Sequence, residues 1–351
     1  MRKSENIHKL AERNKKADSP AMHKILELAM TDEEAGFILD LPASNADLAA
    51  KYGMEVKAVE EKILDLARRG LLVSSRKGIR YPGAPATLHD NILASAREYI
   101  PPKMGEYWME LYEGEGWAEE IGNGMALFPG PALRTIPILD STPPDRKLLP
   151  NESIARIIQA NKDLISARHC CCRTGAKKCD HPTEVCLQFT RRAEYDLYRG
   201  SGKKVSADEA IAIAREAGSS GLLPTVTNIS SMQSLDFICF CCGCCCMVLD
   251  PALRVGAVDK ILAPSRFLTK VDNDKCSGCE KCPKWCFVDA IEMQQVAGYE
   301  KPRAIIDPEK CLGCGVCVAR CPDEGAMVLE LVKPPEFVPE TLFGPSSILH
   351  T

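Results

Sequence analysis

The chain has 351 residues, with 44 lysines and arginines against 48 acids, a net charge of −4 and a pI near 6.0. That balance argues against a strongly basic nucleic-acid binder. Hydrophobic residues make up 45% and charged residues 26%, the proportions of a soluble globular protein. No apolar run reaches the roughly 18 residues of a membrane span; the longest, residues 229–249, is interrupted by Ser230, Ser231, Gln233, Ser234 and Asp236. No apolar core follows the charged N-terminus, so no signal peptide is expected. The expectation is a cytoplasmic chain whose nineteen cysteines stay reduced, which points to metal or redox chemistry rather than disulfides.

Residues 20–40 read as a helix, a polar turn and a short apolar stretch. Ser44-Asn-Ala-Asp47 is a helix start resembling a capping box; a short helix, Asp47–Tyr52, ends at Gly53. Glu55–Arg69 follows, with Val56, Val59, Ile63, Leu66 and Ala67 on one face. Residues 71–73 and 78–81 read as two short strands around a basic turn. Over residues 20–82 this order resembles a winged helix-turn-helix domain. The resemblance implies DNA binding or, on the same fold, protein docking. The second helix sets Glu55, Glu60, Glu61 and Asp65 against Lys57, Lys62, Arg68 and Arg69, a net charge of zero that disfavours DNA.

Residues 83–150 are broken by proline and glycine and read as a connector, with Tyr107, Trp108, Tyr112 and Trp117 in one amphipathic piece.

Residues 1–169 hold no cysteine; the nineteen fall in three later groups. Residues 151–267 read as an irregular, cysteine-rich, metal-binding region. A helix over 152–164 precedes the first group: Cys170, Cys171, Cys172, Cys179 and Cys186. Of these, Cys170, Cys172, Cys179 and Cys186 form a C-x-C-x6-C-x6-C set suited to iron–sulfur or zinc. Arg173, Lys177 and Lys178 would offset its charge, and His169 and His181 are candidate ligands or hydrogen-bonding neighbours. Ser206-x-x-Glu209 opens a helix that Gly218 ends.

The second group packs six cysteines into eight residues: Cys239, Cys241, Cys242, Cys244, Cys245 and Cys246. Neighbours on a strand point opposite ways, so six cannot face one metal from one strand; Cys239, Cys241, Cys242 and Cys245 are the candidate ligands. Either each group holds its own cubane, or the two converge on one unusual cluster or a substrate-binding metal site. Cys241-Cys242-Gly243 is similar to the CCG element of heterodisulfide-reductase-type subunits, though the other spacings do not match.

The third group repeats. Cys276-x2-Cys279-x2-Cys282-x3-Cys286 returns as Cys311-x2-Cys314-x2-Cys317-x3-Cys321, and Asp274-Lys275 returns as Glu309-Lys310. In this spacing the fourth cysteine of each run ligates the other cluster. That gives Cys276, Cys279, Cys282 and Cys321 to one [4Fe–4S] cluster and Cys311, Cys314, Cys317 and Cys286 to a second. Residues 268–333 resemble a bacterial-type two-cluster ferredoxin, which implies a pseudo-twofold βαβ-like fold. One departure stands out: Pro322 follows Cys321, but Phe287 follows Cys286. Residues 334–351 form a Pro-rich tail.

The expected class is therefore α+β, with at least two [4Fe–4S] clusters and cysteines enough for three or four. The layout resembles multi-domain iron–sulfur proteins of strict anaerobes. That resemblance implies electron transfer to or from a redox protein or oxidoreductase subunit. The alternatives are a redox enzyme with its own metal site at residues 239–246 and a redox-sensing winged-helix transcription factor. No nucleotide-binding fingerprint supports a further cofactor.

Overall fold

The computed structural model describes residues 4–75, 78–141 and 148–340. It opens with five helices: α1 (Glu5–Arg13), α2 (Pro20–Ala29), α3 (Asp32–Leu39), α4 (Asn45–Tyr52) and α5 (Val56–Arg68). Ser4, Ser19, Thr31 and Ser44 cap the first four by accepting a hydrogen bond from a first-turn N–H. The polar turn and the short apolar stretch read within residues 20–40 form one helix, α3. Thr31 and Glu34 launch it as a reciprocal capping box. Strands β1 (Val73–Ser75) and β2 (Gly78–Arg80) then pair antiparallel, Val73 opposite Arg80.

Helices α6 (Pro85–Leu93), α7 (Met104–Met109) and α8 (Trp117–Ala126) come from the stretch read as a connector. They complete the N-terminal core: Leu88, Ile92, Trp108 and Trp117 are buried in one cluster with Leu10, Met22, Ile25, Phe37 and Leu66. Trp108 lies 5.7 Å from Trp117, with His89 edge-on to it at 5.0 Å. The aromatic group is thus core, which is where large rings contribute most.

The region 151–267 is not irregular. With β3 (Leu133–Thr135) it builds a seven-stranded sheet. In chain order the parts are α9 (Ile154–Ala160), β4 (Ile165–Arg168), α10 (Cys171–Ala176), β5 (Cys186–Phe189), α11 (Thr190–Arg199), β6 (Lys203–Val205), α12 (Ala207–Ser219), β7 (Leu223–Thr227), β8 (Phe237–Cys241), α13 (Leu249–Arg254), α14 (Val258–Ile261) and β9 (Leu262–Ala263). The strand order is β6-β4-β5-β8-β7-β3-β9, antiparallel except for β3 with β9. Every residue of β4 and β5 is buried. Polar Ser166, Arg168 and Gln188 are among these buried residues, and four residues per strand are too few for a period-two pattern to stand out. Ile154, Ile157 and Ile158 of α9 and Ala210, Ala214 and Ala217 of α12 pack with the sheet in one core.

The last part is a pair of ribbons. β10 (Phe267–Val271) pairs antiparallel with β13 (Met327–Leu331), and β11 (Ile291–Gln294) with β12 (Arg303–Ile306). Each half runs strand, cysteine loop, helical element, strand. The helical element is a turn at Cys282–Trp285 in the first half and helix α15 (Val316–Arg320) in the second. Each strand pairs with a strand of the other half, which is the pseudo-twofold expected.

Backbone bonds tie this part to the sheet. The Ile138 N–H donates to Cys314 O at 2.9 Å, the Ser265 N–H to Leu312 O at 2.9 Å, and the Ser265 hydroxyl to Gly313 O at 2.7 Å. The pair Arg266–Glu152, at 2.9 Å and almost fully buried, closes the same junction.

Candidate metal centres

Two foursomes of thiols form between the ribbons. Cys276, Cys279, Cys282 and Cys321 line one cavity together with Trp285, Met293 and Met327. Cys286, Cys311, Cys314 and Cys317 are electrostatic neighbours in a second gathering. Cys286 therefore sits with the second run and Cys321 with the first. Cys282 and Cys317 share one small apolar cluster between the two.

The loops demand glycine where the chain crowds itself. Gly313 has φ +62°, and a Cβ there would lie 2.0 Å from Phe267 O. Burial pushes the Cys282 thiol up to about 12, with the neighbouring Cys317 and Cys276 adding to the rise. Burial likewise raises Cys317 to about 11. Soft thiols in fours, with Cys276, Cys282 and Cys317 buried, are a donor set suited to iron–sulfur clusters, whose binding requires the deprotonated form.

The 4Fe-4S dicluster domain family matches residues 275–324. A ferredoxin-3 of Rhodobacter capsulatus is 32% identical over 77 residues, covering 16% of this chain and 76% of that protein. Through this segment the chain belongs to the two-cluster ferredoxins.

A ferredoxin-3 of a Nostoc species is 31% identical over 72 residues, covering 16% of this chain and 72% of that protein. One component of an ion-translocating oxidoreductase complex from Methanosarcina acetivorans is 45% identical over 49 residues, covering 14% of this chain and only 16% of that component. No solved structure matches the chain. The protein therefore carries at least two [4Fe–4S] clusters and ferredoxin-type electron-transfer capacity in its C-terminal domain.

The other eleven cysteines converge on one end of the sheet, but not in the groups that the sequence spacing suggests. Cys179 is not with Cys170, Cys172 and Cys186, and Cys242 and Cys245 are not with Cys239 and Cys241. Six thiols instead form a chamber. Cys170 reaches Cys172 and Cys186; Cys186 reaches Cys239; Cys172 reaches Cys246; and Cys246 reaches Cys241. Cys239 and Cys241 belong to strand β8 two residues apart, so they share a face. Hydrogen bonds from Cys172 and Cys186 hold Cys170 well below the usual thiol range, and bonds from Cys172 and Cys241 do the same for Cys246.

Of the other five, Cys171 donates to Asp90, and Cys179, Cys242, Cys244 and Cys245 form a foursome with all four sulfurs within 4.8 Å of one another. The split has a local cause. Beyond β8 the chain turns at residues 243–245, and a turn frees successive side chains from strand alternation. Buried Arg173 joins the two sites. It donates to Phe240 O at 3.0 Å and lies 3.6 Å from Cys242 Sγ.

His169 faces the backbone rather than a sulfur site: its Nε2 lies 2.9 Å from Leu93 O. Three participants are not legible in the sequence pattern. Spacing leaves Cys244 and Cys246 as spares, and Asp90 stands outside every cysteine group. Asp90 accepts from Cys171 Sγ at 2.9 Å and from Arg168 at 3.0 Å. Burial alone would raise its carboxyl, but Arg168 and the Cys171 donor hold it well below the carboxylate range. Its partners lie about eighty residues away in sequence, beyond the reach of any local pattern.

Proposed function

We propose that this chain is an electron-transfer component working with a partner oxidoreductase. Cys276, Cys279, Cys282 and Cys321 would hold one [4Fe–4S] cluster of the ferredoxin domain, and Cys311, Cys314, Cys317 and Cys286 the other. Bound there, the clusters supply one-electron storage and transfer. The residues of the chain bury them, neutralise their charge and fix their spacing.

The observation that carries the reading is continuity. Cys314 packs in the same apolar cluster as Cys239, Cys241 and Cys246. The inner ferredoxin site and the six-thiol chamber therefore share one wall, while Cys279, at the other site, is exposed. An exposed outer site suits exchange with a partner, and the inner one suits relay toward the chamber. The chamber favours the second reading, a redox site of the chain's own at residues 239–246, in which the chamber receives what the ferredoxin domain delivers.

The pair α4–α5 followed by the β1–β2 hairpin supports the winged-helix reading of residues 20–82. We assign that module to protein docking, because the exposed residues of α5 and its N-cap include Glu55, Glu60, Glu61 and Asp65 against Lys57 and Arg68. Nineteen reduced thiols suit a reducing, anaerobic and cytoplasmic setting.

Iron and labile sulfide on anaerobically purified protein, with paramagnetic resonance of the reduced form, test the assignment. About eight irons or more per chain and interacting [4Fe–4S] signals are expected; about four irons would overturn it.

A further inference from the structure

We infer that Cys179, Cys242, Cys244 and Cys245 hold a single tetrahedral divalent metal ion, distinct from the iron–sulfur clusters. The inference does not depend on the electron-transfer reading. It rests on sulfur spacing. A tetrahedral ion with metal–sulfur bonds of about 2.3 Å requires its four sulfurs to stand about 3.8 Å apart. Cys179 Sγ lies 3.8 Å from Cys242 Sγ and 3.7 Å from Cys245 Sγ, and Cys244 Sγ lies 3.7 Å from Cys245 Sγ. These separations are far too long for a disulfide, whose sulfurs stand about 2.0 Å apart. They are also too short for a cubane, in which each thiolate takes its own iron and the sulfurs are splayed around the whole cluster. The ferredoxin domain provides the contrast within the same molecule. Among the described residues, no three of its cysteines have sulfurs all within 4.8 Å of one another.

The surroundings are those of a built site. Two segments far apart in sequence deliver the ligands. Helix α10 ends at Lys177 in a left-handed turn, φ +50°, which presents Cys179. The turn after β8 presents the other three. Backbone N–H groups of Lys178 and Cys245 donate to the sulfurs of Cys245 and Cys242 respectively. Four thiolates around a dication carry an excess of two negative charges, and the Arg173 guanidinium at 3.6 Å from Cys242 Sγ offsets part of it. Four soft thiolates in a tetrahedron select zinc or iron. The ion would clamp the exit of β8 to the loop after α10. Gly243 within that clamp meets Phe287, the residue that follows Cys286.

The test uses the full-length, anaerobically purified protein. Metal and sulfide analysis should find one ion per chain beyond the iron that balances the labile sulfide. If that ion is zinc, absorption spectroscopy at its edge should show four sulfurs at about 2.3 Å and no neighbouring metal. If it is iron, the C244S difference spectrum should lose a sulfide-free tetrathiolate iron signal. In either case C179S and C244S should each lose one ion, with the sulfide content and the ferredoxin resonance signals retained. Loss of about four irons and four sulfides from either variant would overturn the inference, as would a wild-type chain with no ion beyond its iron–sulfur complement. Should the variants fail to fold, the wild-type metal-to-sulfide balance still decides.

Discussion

Each ferredoxin run carries three cysteines for one site and one for the other, so a single substitution reports on its true neighbours. Cys286 belongs by sequence to the first run and by position to Cys311, Cys314 and Cys317. C286S and C314S are therefore expected to alter the same paramagnetic signal, and C279S the other; if C286S tracked C279S, the crossed assignment would fall. His89 offers a second test at this scale. Burial between α6 and the tryptophans lowers its imidazole from 6.5 to about 4. Between those values the unfolded chain binds a proton that the folded chain refuses, so stability present above pH 6.5 is lost as pH falls toward 4. The full window corresponds to roughly 3 kcal/mol at 1.36 kcal/mol per unit. Thermal midpoints measured anaerobically across this range should fall more steeply for the wild type than for His89→Phe, which keeps the ring contact and has no proton to take.

The elements around the sites owe their arrangement to small features with large consequences. The Phe287 that replaces the usual proline after a fourth cysteine is a half-buried plug: a Cβ added at Gly243 would lie 3.3 Å from its ring. It packs against apolar clusters on the sheet side as well as its own domain. Phe287→Ala should cost about 1–2 kcal/mol, less than for a fully buried ring. It should also speed proteolysis between residues 263 and 276 while leaving cluster content unchanged; unaltered cleavage would show that the plug does not hold the junction. Helix α3 teaches the converse lesson. Its capping box, Thr31 with Glu34, is present in the sequence, but the apolar run that follows is short, and eight residues are too few for a helical period to stand out. The chain says where that helix begins more clearly than it says that a helix is there.

At the scale of the molecule, a helical body, a seven-stranded sheet and a ferredoxin domain meet around the cysteines. The sheet's end carries the thiol chamber, and the ferredoxin loop bearing Cys311 and Cys314 is hydrogen-bonded onto Ile138 and Ser265. A net charge of −4 and an acidic exposed face on α5 leave little to attract phosphates. Titration with duplex DNA at low salt, in the oxidised and the reduced protein, should show no salt-sensitive binding; a steep salt dependence in either state would instead favour the sensor reading.

What the sequence alone determined is the ferredoxin domain, because its cysteine runs are local and repeated. Four cysteines within eleven residues, twice over, state the cluster chemistry before any fold is known. It also carried the cap of α4 and the amphipathic face of α5, which depend on neighbours a turn away. The seven-stranded sheet stayed hidden because its strands are short, from 2 to 5 residues, and because buried strand positions hold polar residues such as Ser166, Arg168 and Gln188. The division of the other cysteines was hidden for a different reason. Which thiols share a site depends on where β8 stops and the turn begins, and on Cys179 being brought to residues 242–245 from more than sixty positions away. Only the tertiary structure could make that choice, since spacing along the chain says nothing about which of two adjacent side chains a turn will face inward.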